Sequence, residues 1–207
     1  MKNAIEKRNI TDIRDKYVDE HDKVKELQDI IVDFITKLIS SGNLTEKQAE
    51  QAAGLMVVSN NIERIADRCD EVDGLYKKIL DNGQLLSDAA ITDLTACMDM
   101  TEKLFSESMN AIITGDSETP DKVAADKKKI RKLQRQAGKA HLATVKKNTC
   151  VRSLTADYSS LLYSMDRMAD NCISIAEEAI DDFTFDKLDI ENMDSDSEVM
   201  VKAGAQA

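Results

Sequence analysis

The sequence predicts an all-α bundle built by duplication. Aromatic residues make up only 4% of the 207 residues, Trp is absent, and one Pro and seven Gly leave little material for strands and tight hairpins. Apolar side chains recur at alternating spacings of three and four residues, which places them on one face of a helix. A shift of 103 residues, which carries Leu55 onto Tyr158, superposes one such segment on another.

Charge, cysteine usage and hydropathy exclude several classes of protein. A net charge of -11 repels nucleic acid phosphates over most of the surface. The four cysteines are far apart and form no CxxC pair, which argues against a disulfide framework or a structural zinc site and favours a reducing cytosol. The longest apolar run, 52–58, is too short to cross a bilayer. We therefore expect a cytoplasmic chain that does not itself span a membrane.

The first two patterned segments are each bounded by helix-end signals. An apolar seam runs from Ile13 to Leu38 and stops at the pair Ser41-Gly42, where Gly can adopt the left-handed conformation that closes a helix. Thr45 followed three residues later by Gln48 is a capping box, which predicts the start of a second helix. That helix is expected to end at residues 81–83.

Three further helices follow by the same criteria. A third is predicted from near Ser87 to Gly115, and a fourth from Thr119, taken as the N-cap before Pro120, to about Lys147. A fifth is predicted over 154–179. Beyond Asp181 the pattern dissolves into an acidic stretch that we expect to be flexible.

The duplication defines two repeats. Residues 63–67 (Glu-Arg-Ile-Ala-Asp) fall on residues 166–170 (Asp-Arg-Met-Ala-Asp), and Leu27-Gln28 matches Leu133-Gln134 at a slightly different offset. A helix precedes the second pair, and residues 4–8 look like the end of its counterpart in the first. We therefore predict a first repeat over 1–83 whose first helix is largely missing, a second over 84–181, and a tail over 182–207. A repeat without its first helix should leave an apolar groove open, so we expect self-association that covers it.

Each copy of the duplicated segment carries two acids one helical turn apart, Glu63 with Asp67 and Asp166 with Asp170. Carboxylates at this spacing share one face and can bind a metal cation. The alternative is a solvated face on which the arginine between the acids offsets their repulsion. Recurrence at matching positions in both copies makes the two interpretations about equally favoured.

These residues, with 173–177 (Ile-Ser-Ile-Ala-Glu) following the second copy, resemble the two ERIxDxxxNIAE-type helices of the PhoU family of phosphate-transport regulators. The resemblance extends over about residues 14–179. It implies two tandem three-helix bundles, with packing like that of spectrin repeats. Residues 22–38, 45–67 and 141–150 are more narrowly similar to the cytosolic PhoU-like domain at the C-terminus of bacterial sodium/phosphate cotransporter proteins.

In that family the paired acids hold iron or zinc, so the resemblance implies metal ligation by Glu63, Asp67, Asp166 and Asp170. By register, the positions facing them on the neighbouring helix are cations. These are His21 and Lys25 in the first repeat and Lys127 and Arg131 in the second. Cations there disfavour a metal cluster.

Ten Lys or Arg lie between residues 122 and 147, although the chain as a whole is acidic. This run is either a solvated helix face or a surface that docks an acidic partner or lipid headgroups beside a transporter. The predicted docking residues are Lys127, Lys128, Lys129, Arg131 and Lys132.

Nothing in the sequence indicates catalysis. The chain has only two histidines, neither three residues after a Glu, as di-iron bundles require, and it has no catalytic triad or phosphate-binding loop. We predict a non-enzymatic cytosolic domain that regulates a sodium-dependent phosphate cotransporter at the inner face of the membrane, by contact with the membrane portion or with other uptake components. The alternatives are a freestanding PhoU-type regulator of a phosphate ABC transporter and sensor kinase, or a metal-binding structural bundle.

Overall fold

The computed structural model describes residues 2–8, 14–116, 118–147 and 152–179, without the side chains of 14–17. The predicted tail, 182–207, lies outside the described residues. The described part contains six helices and no strand. They are α1 (Lys2–Lys7), α2 (Arg14–Ser40), α3 (Glu46–Asp81), α4 (Asp88–Thr114), α5 (Thr119–Lys146) and α6 (Leu154–Glu177). The all-α prediction is confirmed.

Helix α1 packs along the N-terminal half of α4. The Lys2 ammonium lies 2.5 Å from the Asp99 carboxylate, and Arg8 pairs with Asp88 at 2.5 Å, so the two helices run antiparallel. Ile5 is fully buried, and its carbonyl accepts a hydrogen bond from the Tyr76 hydroxyl at 3.0 Å. The predicted helical segment at residues 4–8 is therefore present and anchored to both α3 and α4.

Local signals set most of the helix ends where the sequence predicts them. Thr45 forms the complete capping box with Gln48, and the Ser87 hydroxyl accepts from the backbone N–H of Ala90 at 3.2 Å. Gly83 and Gly115 follow α3 and α4 with positive φ angles, 64° and 68°, in the left-handed region that favours glycine.

The start of α5 differs from the prediction. Thr119 is the first residue of the helix rather than its N-cap, and Glu118 precedes it without a side-chain cap. The reason lies upstream: the Asp116 carboxylate accepts the backbone N–H of Glu118 at 2.9 Å and the Thr119 hydroxyl at 2.7 Å. These hydrogen bonds hold the pKa of Asp116 below its ordinary value.

Helices α4, α5 and α6 pack against one another as a three-helix bundle, and α3 lies along α6 in the largest helix contact of the structure. The main core joins the two predicted repeats: Val72 and Tyr76 of α3 pack in one cluster with Leu94 of α4 and Tyr158 and Leu161 of α6. The structure provides no independent test of the boundary at residue 83, which stays a prediction.

Helix α2 packs on α3 and leaves much of its apolar seam open. Gln28 donates to the Asn60 side chain at 2.9 Å, and Ile35 is buried between the helices. By contrast, Leu27 is 58% exposed and Phe34 is 55% exposed. These side chains border a groove of about 470 Å³, which we call the α2 groove. Its lining residues include Val24, Leu27, Ile31 and Phe34 of α2, Leu55, Val58 and Ile62 of α3, and Met109 and Ile112 of α4.

Because His141 on α5 is buried, we expect the stability of the fold to depend on pH. Its ring lies 4.7 Å from the Tyr158 ring, and burial lowers the pKa of His141 below its ordinary value near 6.5. The unfolded chain then binds the proton more tightly, so the folded state loses stability as the pH falls below about 6.5 and on through the lower folded pKa. We expect His141→Gln to flatten this loss between about pH 7 and pH 5, measured by urea unfolding. Equal slopes for the two proteins would contradict the prediction.

Candidate functional site where helices α3 and α6 cross

The two copies of the duplicated segment lie side by side. Helices α3 and α6 run antiparallel, since Lys78 pairs with Asp157 at 2.9 Å while, further along, the Ser164 hydroxyl donates to Glu71 at 3.1 Å. Still further along, the sulfur atoms of Cys69 and Met168 are 4.0 Å apart. By this register Asp67 lies about level with Asp170, so the C-terminal ends of segments 63–67 and 166–170 meet where the two repeats are in contact.

In the first copy, Asp67 faces a histidine and a lysine of α2. Its carboxylate lies 3.2 Å from the Nε2 atom of His21 and 3.4 Å from the Nζ atom of Lys25. The His21 ring is also 3.8 Å from Asp22. Glu63, one turn before Asp67, is half-buried and has no ion-pair partner among the described residues. This side of the site is an ionic contact between α2 and α3.

In the second copy, both acids are paired with cations. Asp166 accepts from the Nε atom of Arg131 at 3.0 Å, and Asp170 pairs with Arg167 at 3.1 Å and contacts Lys127. Lys127 is largely buried, so desolvation, followed by the neighbouring Arg131 charge, lowers the pKa of this lysine.

The predicted register is thus confirmed: His21, Lys25, Lys127 and Arg131 meet the acids to which the sequence assigns them. Among the described residues, no three His, Cys, Asp or Glu side chains are grouped closely enough to hold a metal ion. As arranged, the donor set does not fit a multinuclear iron or zinc cluster, because ammonium and guanidinium groups occupy the lone pairs that a metal needs. The metal assignment stays a prediction, tested by elemental analysis of the purified protein.

The five predicted docking residues of α5 separate into two groups. Lys127 and Arg131 face α6 and pair with its acids, and Lys129 pairs with Asp126 on α5 itself. Lys128 and Lys132 are exposed and have no ion-pair partner in the described part of the chain. The outward-facing positive surface is therefore narrower than the run of cations in the sequence.

A polar pocket of about 480 Å³ also lies at this crossing, and the sequence analysis missed it. It is lined by Arg64, Asp67, Arg68 and Glu71 of α3 and by Arg167 and Asn171 of α6. Arg64 and Arg167 were read only as charges that offset the acids beside them. Two features together indicate the pocket. An arginine recurs at equivalent positions of the two copies, and the antiparallel packing of α3 and α6 brings these two arginines to one pocket.

Replacing Asp170 with Asn is expected to destabilise the fold by about 1–2 kcal/mol, because it leaves the largely buried Lys127 without its carboxylate. Asp33→Asn is the matched control, since Asp33 pairs with Lys37 on an exposed face and should cost under about 0.5 kcal/mol. Denaturant unfolding with and without a chelator measures both. A loss seen only without chelator would assign the effect to a metal and contradict the ion-pair explanation.

None of the described helices has a stretch that is both long and apolar enough to cross a membrane. In comparisons with known proteins, the family model described as the PhoU domain matches residues 1–73 and 94–179. The two matched segments contain both copies of the duplicated acid-bearing segment, residues 63–67 and 166–170. No curated protein and no solved structure matched the chain.

Proposed function

The chain belongs to the PhoU domain family, and from that membership we propose that it regulates phosphate uptake as the cytosolic domain of a sodium-dependent phosphate cotransporter. The single observation that carries the proposal is the family match over both repeats. It indicates a regulatory role in phosphate transport. The cotransporter assignment is supported by the narrower resemblance of residues 22–38, 45–67 and 141–150.

Regulation of this kind needs contact surfaces rather than catalytic groups. The first surface is the outer face of α5, where Lys128 and Lys132 are exposed. Like the neighbouring Arg135 and Lys139, they add positive charge on a chain whose net charge is -11. We assign this face to an acidic segment of the transporter's membrane portion, at the inner face of the cell membrane. Charge complementarity would then set the rate and orientation of docking.

The second surface is the α2 groove, and we assign it to a second copy of this chain. Contiguous apolar side chains exposed on one helix, such as Leu27, Ile31 and Phe34, are typical of an interface. A symmetric dimer uses the same patch on both subunits, as this surface allows.

Phosphate uptake in a strain lacking the gene tests the role. Restoring the gene should restore normal control of uptake, and the charge reversal Lys128→Glu/Lys132→Glu should impair that control without lowering the amount of folded protein. Lys7→Glu/Lys47→Glu is the matched double reversal, at exposed lysines away from α5. Uptake that is the same with and without the gene would overturn the proposal.

The reading frame upstream of Met1 separates the cotransporter domain from its alternative. Membrane-spanning sequence fused in frame is the result that we expect. An in-frame stop codon directly before Met1 would instead assign the chain to the freestanding regulators of phosphate ABC transport.

A further inference from the structure

The polar pocket between α3 and α6 lies between the two repeats and is lined by residues at equivalent positions. Arg64 and Arg167 occupy the same place in the two copies of the duplicated segment, and Arg68 and Asn171 do so one turn later. All four line the pocket. Because α3 and α6 are antiparallel, the two equivalent pairs, Arg64 with Arg68 and Arg167 with Asn171, follow each other in opposite directions along the pocket.

The lining is net positive, with three guanidinium groups and two carboxylates, Asp67 and Glu71. Asp67 also faces Lys25 of α2 at 3.4 Å. Arg68 pairs with Glu71 at 2.7 Å and Arg167 pairs with Asp170 at 3.1 Å, each through one terminal nitrogen, so the other N–H groups of both guanidinium groups can still donate to a ligand. Arg64 is exposed and has no ion-pair partner among the described residues.

The remaining donors suit a tetrahedral oxyanion. Guanidinium groups donate paired N–H bonds in a planar fork that matches two oxygens of a phosphate group, and the Asn171 amide adds a neutral donor. The walls carry too little apolar surface for a hydrophobic ligand, and three arginines repel a metal cation. Arg68 and Arg167 are 39% and 43% exposed, so the pocket is open to a ligand from solvent.

We propose that this pocket binds a phosphate group, held by Arg64 and Arg167 from the two repeats. The choice of phosphate among oxyanions rests on the proposed function. A ligand held from both sides ties α3 to α6 and stabilises the contact between the repeats by mass action. Occupancy of the pocket thereby reports the phosphate concentration to the surfaces of the domain.

Isothermal titration calorimetry with inorganic phosphate tests the proposal on the full chain. Arg64→Gln and Arg167→Gln should each raise the Kd at least tenfold, since each removes a charged donor pair. The matched control is Arg152→Gln, at an exposed arginine just before α6 that lines neither the pocket nor the positive face of α5, and its Kd should stay within about twofold of wild type. Thermal melts without phosphate verify that all three variants fold.

A phosphate group can also come from a lipid, so the same proteins are tested with vesicles of phosphatidylcholine with and without phosphatidic acid. Arginine-dependent binding of free phosphate identifies a soluble ligand, whereas arginine-dependent binding of phosphatidic acid alone identifies a headgroup, and both support the pocket. Binding of neither, or equal loss in Arg152→Gln, overturns it. A wild-type chain that binds no phosphate but restores control of uptake would overturn the pocket and leave the proposed function standing. A wild-type chain that binds phosphate but does not restore control of uptake would leave the pocket standing and overturn the proposed function.

Discussion

Leu161→Ala is expected to lower the free energy of unfolding by about 3 kcal/mol. Leu161 is fully buried on α6, in the cluster where Val72 and Tyr76 of α3 meet Leu94 of α4. Removing its isobutyl group loses the transfer free energy of the buried atoms and leaves a cavity that helices packed from several sides cannot close. Because the stability of a domain is typically only about 5–15 kcal/mol, such a loss is a large fraction of the whole.

The matched control is Leu142→Ala on α5, where the same substitution is made at a side chain that is 48% exposed. It should cost less than about 1 kcal/mol. Urea unfolding followed by circular dichroism measures both variants. The cluster spans the contact between the repeats, so we expect one transition in the wild type and in Leu161→Ala. Two separate transitions, or equal losses for the two variants, would contradict the continuous core described above.

The fold was largely predictable because its signals are local. A capping box at Thr45, a hydroxyl cap at Ser87 and glycines at 83 and 115 each act within a few residues, so their neighbours in sequence suffice to predict the helix ends. The N-cap of α5 lies one residue before the predicted Thr119, because Asp116 accepts hydrogen bonds from both the Thr119 hydroxyl and the backbone N–H of Glu118. The sequence offers several cap acceptors there, and the turn geometry selects among them.

Packing partners were harder to predict than helices. Periodicity assigns Leu27, Ile31 and Phe34 to a bundle seam, yet these side chains are exposed, because a spacing pattern defines a face without defining what covers it. The same limit applies to the site. Aligning positions on neighbouring helices within each repeat predicted which cations meet Asp67 and Asp170. The arginine-lined pocket depends instead on how α3 packs against α6, and the spacing of residues within one helix does not specify that packing.

Phe34→Asp is expected to abolish the self-association that we propose for the α2 groove. Phe34 is 55% exposed beside the α2 groove, so the substitution removes little packing within one subunit. In a dimer that covers the groove, the lost ring removes about 1.5–3 kcal/mol of apolar burial, and a carboxylate is placed in the interface. Since each 1.4 kcal/mol corresponds to a tenfold change in Kd, association should weaken by about a hundredfold or more.

Analytical ultracentrifugation over a wide concentration range measures this effect, with Leu142→Asp as the matched control at an exposed leucine on α5. The control should associate like the wild type, because α5 does not line the groove. If wild type is a monomer at every concentration, the α2 groove does not bind a second copy. If both variants dissociate, added negative charge on a chain of net charge -11 is the cause rather than loss of the apolar contact. Loss of association in Phe34→Asp alone would place the interface on α2. Lys25 of the same helix pairs with Asp67 of α3, which lines the arginine-lined pocket.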